Sequence, residues 1–326
     1  MPDLNSQLPN DDHWAREALT RLAFAAVAEQ RRTRRWGIFF KLLFFVYLVG
    51  LLVLAWPDNF GTAAAVTATA KDHTALIRID GLISSSTEAS AKNVIEALRK
   101  AFKDEKTVGV ILEINSPGGS PVQAGEIYDE VQRLRQQHPK IPVYAVASDV
   151  CASGGYYIAA AAQSIYANKA SIVGSIGVRM DSFGFTDAIA KLGVERRAYT
   201  AGSNKDFLDP FKPVNPAEVQ HLQGMLDAIH QQFIAAVKQG RGERLKDNPD
   251  IFSGLMWTGE QGVGLGLVDA LGSSQSVAEN VIKEKNIVDY TKRTSWMDRL
   301  FDRTEVRLSA ALREGLLGME GTTQWR

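Results

Sequence analysis

Patterns typical of strands and helices alternate through the middle of the chain, and this alternation constrains the fold more than any other feature. TALIRIDGLI (74–83), VGVILEIN (108–115) and IPVYAVAS (141–148) are rich in the residues that favour strands. VGVILEIN is almost continuously apolar, as expected of a parallel strand covered on both faces. Helical patterns separate these segments, at a repeat of roughly 30 to 40 residues that is typical of βαβ units. The sequence therefore predicts an α/β fold with a mainly parallel sheet and helical crossovers.

The predicted helices follow the predicted strands directly. They cover EASAKNVIEALRKAFKD (88–104), PVQAGEIYDEVQRLRQQ (121–137) and GGYYIAAAAQ (154–163), and two further short strands are expected within SIYANKASIVGSIGV (164–178). A longer helix is predicted at 215–241, because Asn215 is a good N-cap and Pro216 suits the first helical position. Its single apolar stripe is interpreted as a core or subunit contact.

An apolar run at 36–56 precedes this domain and contains one charge, Lys41. As a helix it would span about 31 Å, close to the thickness of a bilayer hydrocarbon core, about 30 Å. It is therefore predicted to be one transmembrane helix in the lipid bilayer, with a cleaved signal peptide as the alternative. Basic residues crowd its N-terminal flank (Arg31, Arg32, Arg34 and Arg35), so the positive-inside rule places the N-terminus in the cytoplasm. The main domain is then expected across the membrane, which in a bacterium is the periplasm or the cell exterior.

These assignments divide the chain into five parts. They are a cytoplasmic leader (1–35), the transmembrane helix (36–56), a linker (57–72), the main α/β domain (73–290) and a C-terminal tail (291–326). Apolar residues at helical spacing predict a short amphipathic helix within the leader.

Composition excludes several classes of function. Lys plus Arg and Asp plus Glu each total 37, so the formal net charge is zero and no nucleic-acid partner is expected. Cys151 is the single cysteine, which excludes an internal disulfide and a cysteine-based zinc site. The five histidines show no metal-ligand spacing, so neither a metal nor another cofactor is expected.

Two loops that follow predicted strands contain the candidate reactive residues. In Ser116-Pro117-Gly118-Gly119-Ser120, consecutive glycines can present bare N–H groups that would stabilise an oxyanion, although a plain tight turn is the simpler interpretation. In Cys151-Ala152-Ser153-Gly154-Gly155, Ser153 opens a helix and is either a nucleophile or an ordinary N-cap. Cys151 is a rival nucleophile, but its apolar neighbours indicate a buried and inert thiol.

A nucleophilic serine requires a base, and Lys205 is the candidate. No histidine lies in a Gly- or Ser-rich loop, whereas lysine is the alternative base in Ser-Lys enzymes. Lysine acts as a base near neutral pH only when it is desolvated. Phe207, Leu208 and Phe211 lie close in sequence and could supply an apolar wall.

Several motifs together resemble the signal peptide peptidase A family of bacterial Ser-Lys peptidases, in its short, single-domain form. The matching segments are INSPGG (114–119), ASGGYYIA (152–159), VGSIGV (173–178), residues 203–207 and SGLMWTGEQGVGLGLVDALG (253–272). The resemblance implies a ClpP/crotonase-like fold, with Ser153 as nucleophile and Lys205 as general base. It also implies oxyanion donors from Gly118, Gly119 and Gly154. Further implications are peptide substrates such as remnant signal peptides and a homo-oligomeric ring, in which a neighbouring subunit could complete the dyad.

Two other interpretations remain open from the sequence. A crotonase-like acyl-CoA enzyme shares the sheet and the glycine loop, and would use a carboxylate such as Glu126 for proton transfer. A non-catalytic scaffold that binds membrane-protein segments would not need the Ser153 hydroxyl at all.

Overall fold

The computed structural model describes residues 11–54 and 71–292, and the chain divides into two compact units at residue 67. Most of the predicted linker (57–72) and of the predicted tail (291–326) lies outside the described residues, as do residues 1–10 of the leader. The two units are described separately below.

The N-terminal unit contains one long helix, α1 (Asp11–Leu54). The sequence predicted a short leader helix followed by a separate apolar helix, whereas α1 passes through residue 35 without interruption. The reason is that the nearest prolines, Pro9 and Pro57, both lie outside α1. Among the residues whose side chains the structure describes, no helix combines the length and the apolar character needed to cross a membrane.

The second unit is built on an eight-stranded sheet with the order β6-β5-β3-β2-β1-β8, in which β4 pairs with β3 and β7. The strands are β1 (His73–Asp80), β2 (Thr107–Ser116), β3 (Val143–Ala152), β4 (Ser164–Ala167), β5 (Ile172–Gly174), β6 (Met256–Thr258), β7 (Ala270–Leu271) and β8 (Ile287–Asp289). Only β5 and β6 pair antiparallel among the described strands. The predicted α/β class with a mainly parallel sheet is therefore confirmed.

Helices separate most of the strands along the chain, as the alternating pattern predicted. They are α2 (Ala91–Lys103), α3 (Pro121–Gln137), α4 (Gly154–Ala159), α5 (Thr186–Lys191), α6 (Pro216–Arg241), α7 (Gly259–Leu265) and α8 (Ser274–Val277). The Asn215 side chain accepts a hydrogen bond from the Ala217 N–H, so the predicted N-cap of α6 is confirmed.

The main core lies on one face of the sheet. Alternate residues of β1 and β2 point into it, with Ile77, Ile79, Leu112 and Ile114 almost fully buried. Burial of one such side chain contributes roughly 1.5 to 3 kcal/mol. The other face carries a smaller cluster that includes Ile111 and is covered by α8. Because both faces are covered, β2 reads as a nearly continuous apolar run.

The sheet brings the two predicted reactive loops together. Strands β2 and β3 are parallel neighbours, and Ser116 at the end of β2 pairs with Cys151 near the end of β3. The register shifts between Ile114 and Ser116, so the strand is irregular just before the glycine loop. The loop at 117–120 and the turn at Ser153 therefore lie side by side at the carboxyl edge of the sheet.

Candidate active site

Ser153 occupies a tight turn between β3 and α4. Its backbone has φ 52° and ψ −122°, a conformation that L-residues other than glycine rarely adopt. Two hydrogen bonds hold the turn: the Ser153 N–H donates to the Gly174 carbonyl at 2.9 Å, and the Ser153 carbonyl accepts from the Tyr157 N–H at 2.9 Å. A strained residue at a strand–helix junction is typical of a functional position.

The Ser153 side chain does not act as a helix cap. Its hydroxyl accepts no hydrogen bond from the first turn of α4, although serine at this position commonly does so. Ser153 is partly exposed. The simpler of the two sequence interpretations, an ordinary N-cap, is therefore wrong.

Gly118 packs directly against Ser153. A methyl group added at Gly118 would lie 2.7 Å from the Ser153 Cβ and 3.0 Å from its Oγ, and the φ of Gly118 is +104°. Both the space and the backbone conformation therefore require glycine here. The N–H of Gly118 donates to the Ser116 Oγ at 3.1 Å, so Gly118 shapes the site with its backbone already engaged.

The N–H of Gly119 faces the opposite way from the carbonyl of Gly118. That carbonyl accepts a hydrogen bond from the Ile83 N–H at 2.9 Å, and the Ile83 carbonyl accepts from the Ser120 N–H at 2.8 Å. In a trans peptide the C=O and the following N–H point in opposite directions, so the Gly119 N–H is turned away from Ile83. A Cβ at Gly154 would lie only 3.3 Å from the Gly119 nitrogen. The Gly119 nitrogen therefore lies beside Gly154, with its N–H directed away from Ile83.

Gly119 and Gly154 thus offer two backbone donors beside the Ser153 turn. Neither N–H has a hydrogen-bond acceptor within residues 71–292. Two such N–H groups next to a nucleophile can stabilise the oxyanion that forms when a carbonyl is attacked. Of the three glycines predicted as donors, these two have N–H groups free for that role.

Cys151 lies two residues before Ser153 but is fully buried. Burial raises the pKa of the Cys151 thiol to about 12, so almost no thiolate exists near neutral pH. The sequence-based interpretation of Cys151 as a buried, inert thiol agrees with this placement.

Lys205 lies in an exposed turn of the long connection between β5 and α6. Within the described residues, no hydrogen bond or ion pair involves its ammonium group, and none joins it to Ser153. The aromatic residues expected to surround Lys205 instead pack against other rings. Phe207 contacts His221, and Phe211 stacks on Phe185 with ring centroids 5.5 Å apart. The desolvation that a lysine base requires is therefore not provided by the part of the chain that the structure describes.

The turn around Lys205 is nevertheless well connected. Asp209 forms an ion pair of 3.0 Å with Arg196, and the Leu208 N–H donates to the Glu218 carboxylate at 2.8 Å. Leu208 has a φ of 55°, which this hydrogen bond helps to hold. The turn has a defined shape although Lys205 itself is exposed.

Glu126, the carboxylate of the crotonase-like alternative, lies on the exposed side of α3. It lines a groove between α2 and α3, together with Gln123 and Arg99. No group of three or more His, Cys, Asp or Glu side chains is arranged to hold a metal ion in the part of the chain that the structure describes.

The structure adds two residues that the sequence reasoning missed, Ser116 and Ile83. Ser116 was visible only as the start of the SPGGS loop, and its hydrogen-bonding role depends on the irregular end of β2. Ile83 pairs with Gly119 through an isolated bridge, which links segments 36 residues apart (119 − 83). No local sequence signal marks such a contact.

Comparison with known proteins places this chain in a family. The model of peptidase family S49 matches residues 135–288, and that of Clp protease matches residues 71–172. A Synechocystis protein described as "Putative protease slr0021" is 34% identical over 226 residues, covering 69% of this chain and 76% of that protein. An Enterococcus faecium protein described as "Putative signal peptide peptidase SppA" is 30% identical over 223 residues, covering 66% of this chain and 64% of that protein.

A third relative has a different description. The Brucella abortus (strain 2308) protein described as "Na(+)/H(+) antiporter NhaA" is 43% identical over 238 residues, covering 73% of this chain. This chain spans only 32% of the length of that protein, so the description carries no function to this chain.

A mostly parallel sheet with helical crossovers, together with the Clp protease match, defines a ClpP-like α/β fold. Within that class, the chain belongs to peptidase family S49. The resemblance found in the sequence is thereby confirmed at the level of the family.

Proposed function

We propose that this protein is a membrane-anchored serine endopeptidase in which Ser153 is the nucleophile and Lys205 the general base. The observation that carries the proposal is the strained Ser153 turn, whose hydroxyl caps nothing and lies beside the free N–H groups of Gly119 and Gly154. Such an arrangement serves acyl transfer, because the donors are in place before charge develops on the substrate carbonyl.

The proposed reaction has two steps. The Ser153 Oγ attacks the peptide carbonyl carbon while its proton passes to the neutral amine of Lys205, and the oxyanion accepts hydrogen bonds from Gly119 and Gly154. The C–N bond then breaks, the leaving amine takes the proton from Lys205, and an ester on Ser153 remains. In the second step Lys205 takes a proton from water, which attacks the ester carbonyl. The C–O bond to Ser153 then breaks, and Lys205 returns the proton to the Ser153 Oγ, which releases the acid product and restores both residues.

A second copy of the chain is proposed to complete this site. Lys205 is exposed in one subunit, and a base at neutral pH needs an apolar, desolvated environment. The segment around it exposes large apolar side chains that a neighbouring subunit would cover. They are Met180 (56% exposed), Phe183 (76%), Leu192 (76%), Val194 (56%), Tyr199 (91%) and Val214 (78%). This pattern supports a homo-oligomeric ring in which the neighbour contacts the Lys205 turn.

The anchor and the location belong to the same proposal. Apolar side chains from Ile38 to Leu51 are exposed on α1, and the apolar run continues in the sequence to Trp56. A single span with a cytoplasmic N-terminus would place the catalytic domain in the periplasm or outside the cell. Remnant signal peptides and other hydrophobic peptides in the membrane are then the proposed substrates.

Cleavage of a hydrophobic, signal-type peptide by the full chain in detergent tests this proposal. Ser153→Ala and Lys205→Ala should each lose nearly all activity while retaining the fold and the assembly. Lys191→Ala is the matched control, because Lys191 is also an exposed lysine of the same connection and has no proposed role. Cleavage that persists in Ser153→Ala would refute the nucleophile and favour Cys151 or another enzyme class. A wild-type protein that cleaves no peptide would favour the non-catalytic scaffold.

A further inference from the structure

Ser116 is a buried serine whose hydroxyl links two segments of the candidate site. It has no exposed surface, and its Oγ donates to the Gly81 carbonyl at 2.6 Å while accepting from the Gly118 N–H at 3.1 Å. Gly81 immediately follows β1, and its own N–H donates to the Asn115 carbonyl at 2.9 Å. The Ser116 hydroxyl, at the end of β2, therefore connects the residue that follows β1 to the glycine loop.

These contacts fix two successive peptide planes of the loop. The plane between Pro117 and Gly118 is held by the Ser116 hydroxyl, and the plane between Gly118 and Gly119 is held by the Ile83 N–H. If the Pro117–Gly118 peptide rotated, the φ of Gly118 would change, and glycine permits such a change. The Gly118–Gly119 peptide would then rotate as well. The direction of the Gly119 N–H therefore depends on both restraints, although the hydrogen bonds of the Ser116 hydroxyl go to Gly81 and Gly118.

We propose that Ser116 is a positioning residue of the oxyanion hole, which rests on the proposed function of the site. Its hydroxyl holds the Gly118 peptide so that the Gly119 N–H is aimed at the developing oxyanion before substrate binds. The hydrogen bond from the Gly119 N–H stabilises mainly the transition state, because the ground-state carbonyl oxygen carries less charge and occupies a different position.

Two substitutions at Ser116 separate this role from simple packing. Ser116→Ala removes both hydrogen bonds and leaves the buried Gly118 N–H without an acceptor, which also costs stability. Ser116→Cys retains a side chain of similar shape, but a thiol is a weak donor and a weak acceptor. The matched control is Ser274→Ala, which removes another buried serine hydroxyl, bonded to Glu113 and distant in sequence from both reactive loops.

The experiment measures kcat, KM and inhibition by a hydrophobic peptide aldehyde, whose adduct with a serine mimics the tetrahedral intermediate. Both Ser116 variants should lower kcat about tenfold, less than the hundredfold or more expected for losing an oxyanion donor, with KM within about twofold of wild type. Aldehyde affinity should fall by the same factor as kcat. Ser274→Ala should leave all three quantities unchanged.

The inference would be overturned if a folded Ser116→Cys protein had the kcat of the wild type, whether or not its KM rose. If Ser116→Ala fails to fold, Ser116→Cys decides the question alone. Failure of the proposed function looks different: the wild-type protein would not cleave peptide, or Ser153→Ala would remain active. The two failures are therefore distinguishable in one set of measurements.

Discussion

Gly118 lies so close to Ser153 that a single added methyl group would come within 2.7 Å of the serine Cβ. This contact determines how near the glycine loop can approach Ser153, and both residues have a positive φ. The two loops can therefore lie this close only because residue 118 is a glycine and has no side chain.

Gly118→Ala should abolish most peptide cleavage and weaken the fold. The added Cβ clashes with Ser153 and strains a backbone at φ +104°, which together should cost at least about 2 kcal/mol in the free energy of unfolding. Activity should fall at least a hundredfold, because the oxyanion donor next to it moves. Gly125→Ala on α3 is the control: nothing lies within 4 Å of the new methyl group, so activity should be unchanged. Similar activity in the two variants would contradict the proposed geometry.

Ser153→Gly should be inactive yet more stable than Ser153→Ala. Both variants lose the hydroxyl, but only glycine adopts φ 52° without strain. The expected difference is about 1 kcal/mol in the free energy of unfolding, measured by urea denaturation of the two proteins. Equal midpoints, or a less stable glycine variant, would show that the Ser153 backbone stores no strain.

Glu130 should make the fold acid-sensitive. This buried carboxylate accepts hydrogen bonds from Arg133 at 2.6 and 2.8 Å and from Arg99 at 2.7 Å. The Arg133 bonds, opposed by burial and assisted by Arg99, lower the pKa of Glu130 from 4.5 to about 2. Because the folded-state pKa is lowered, its stabilising contribution is complete above about pH 4.5 and is lost as the pH falls toward 2.

Thermal unfolding between about pH 5 and about pH 3 measures this contribution. The wild-type protein should lose more stability over that range than Glu130→Gln, which has no proton to bind at this position. Parallel pH curves for the two proteins would rule out Glu130 as a source of the acid sensitivity.

Phe183→Asp should reduce assembly and activity together. Phe183 is 76% exposed and lies in the segment that a second subunit is proposed to cover. A charge there opposes burial in a subunit contact, so light scattering should show a smaller particle and the specific activity should fall with it. Val281→Asp alters an exposed apolar residue outside that segment and serves as the control. Full activity in a monomeric Phe183→Asp protein would mean that Lys205 needs no neighbour.

Much of the sheet could be predicted from the sequence because its strands are buried on both faces. VGVILEIN became β2 with one extra residue at each end, since continuous burial leaves a continuous apolar signal. In contrast, β3 runs on from Ser148 to Ala152, where Asp149 interrupts the apolar pattern. That extension places Ser153 at the turn, and it results from pairing with β5 rather than from local propensity.

The site was predictable in part, for similar reasons. Ser153 and its glycines follow strands that neighbour each other in a parallel sheet, so their proximity follows from topology. The links from Ile83 and Ser116 to the glycine loop arise only in the folded chain. The environment of Lys205 could not be predicted either, because its aromatic neighbours pack against His221 and Phe185 rather than against the lysine.

The most direct test of the central claim is to locate the acyl group during turnover. The wild-type protein would be mixed with a hydrophobic peptide ester, quenched in acid and digested, and the acylated fragment identified by mass spectrometry. We expect the acyl group on Ser153 in the wild-type protein and no acylated fragment from the Ser153→Ala protein. An acyl group on Cys151 or on any other residue, or continued peptide cleavage by Ser153→Ala, would contradict the assignment of Ser153 as the nucleophile.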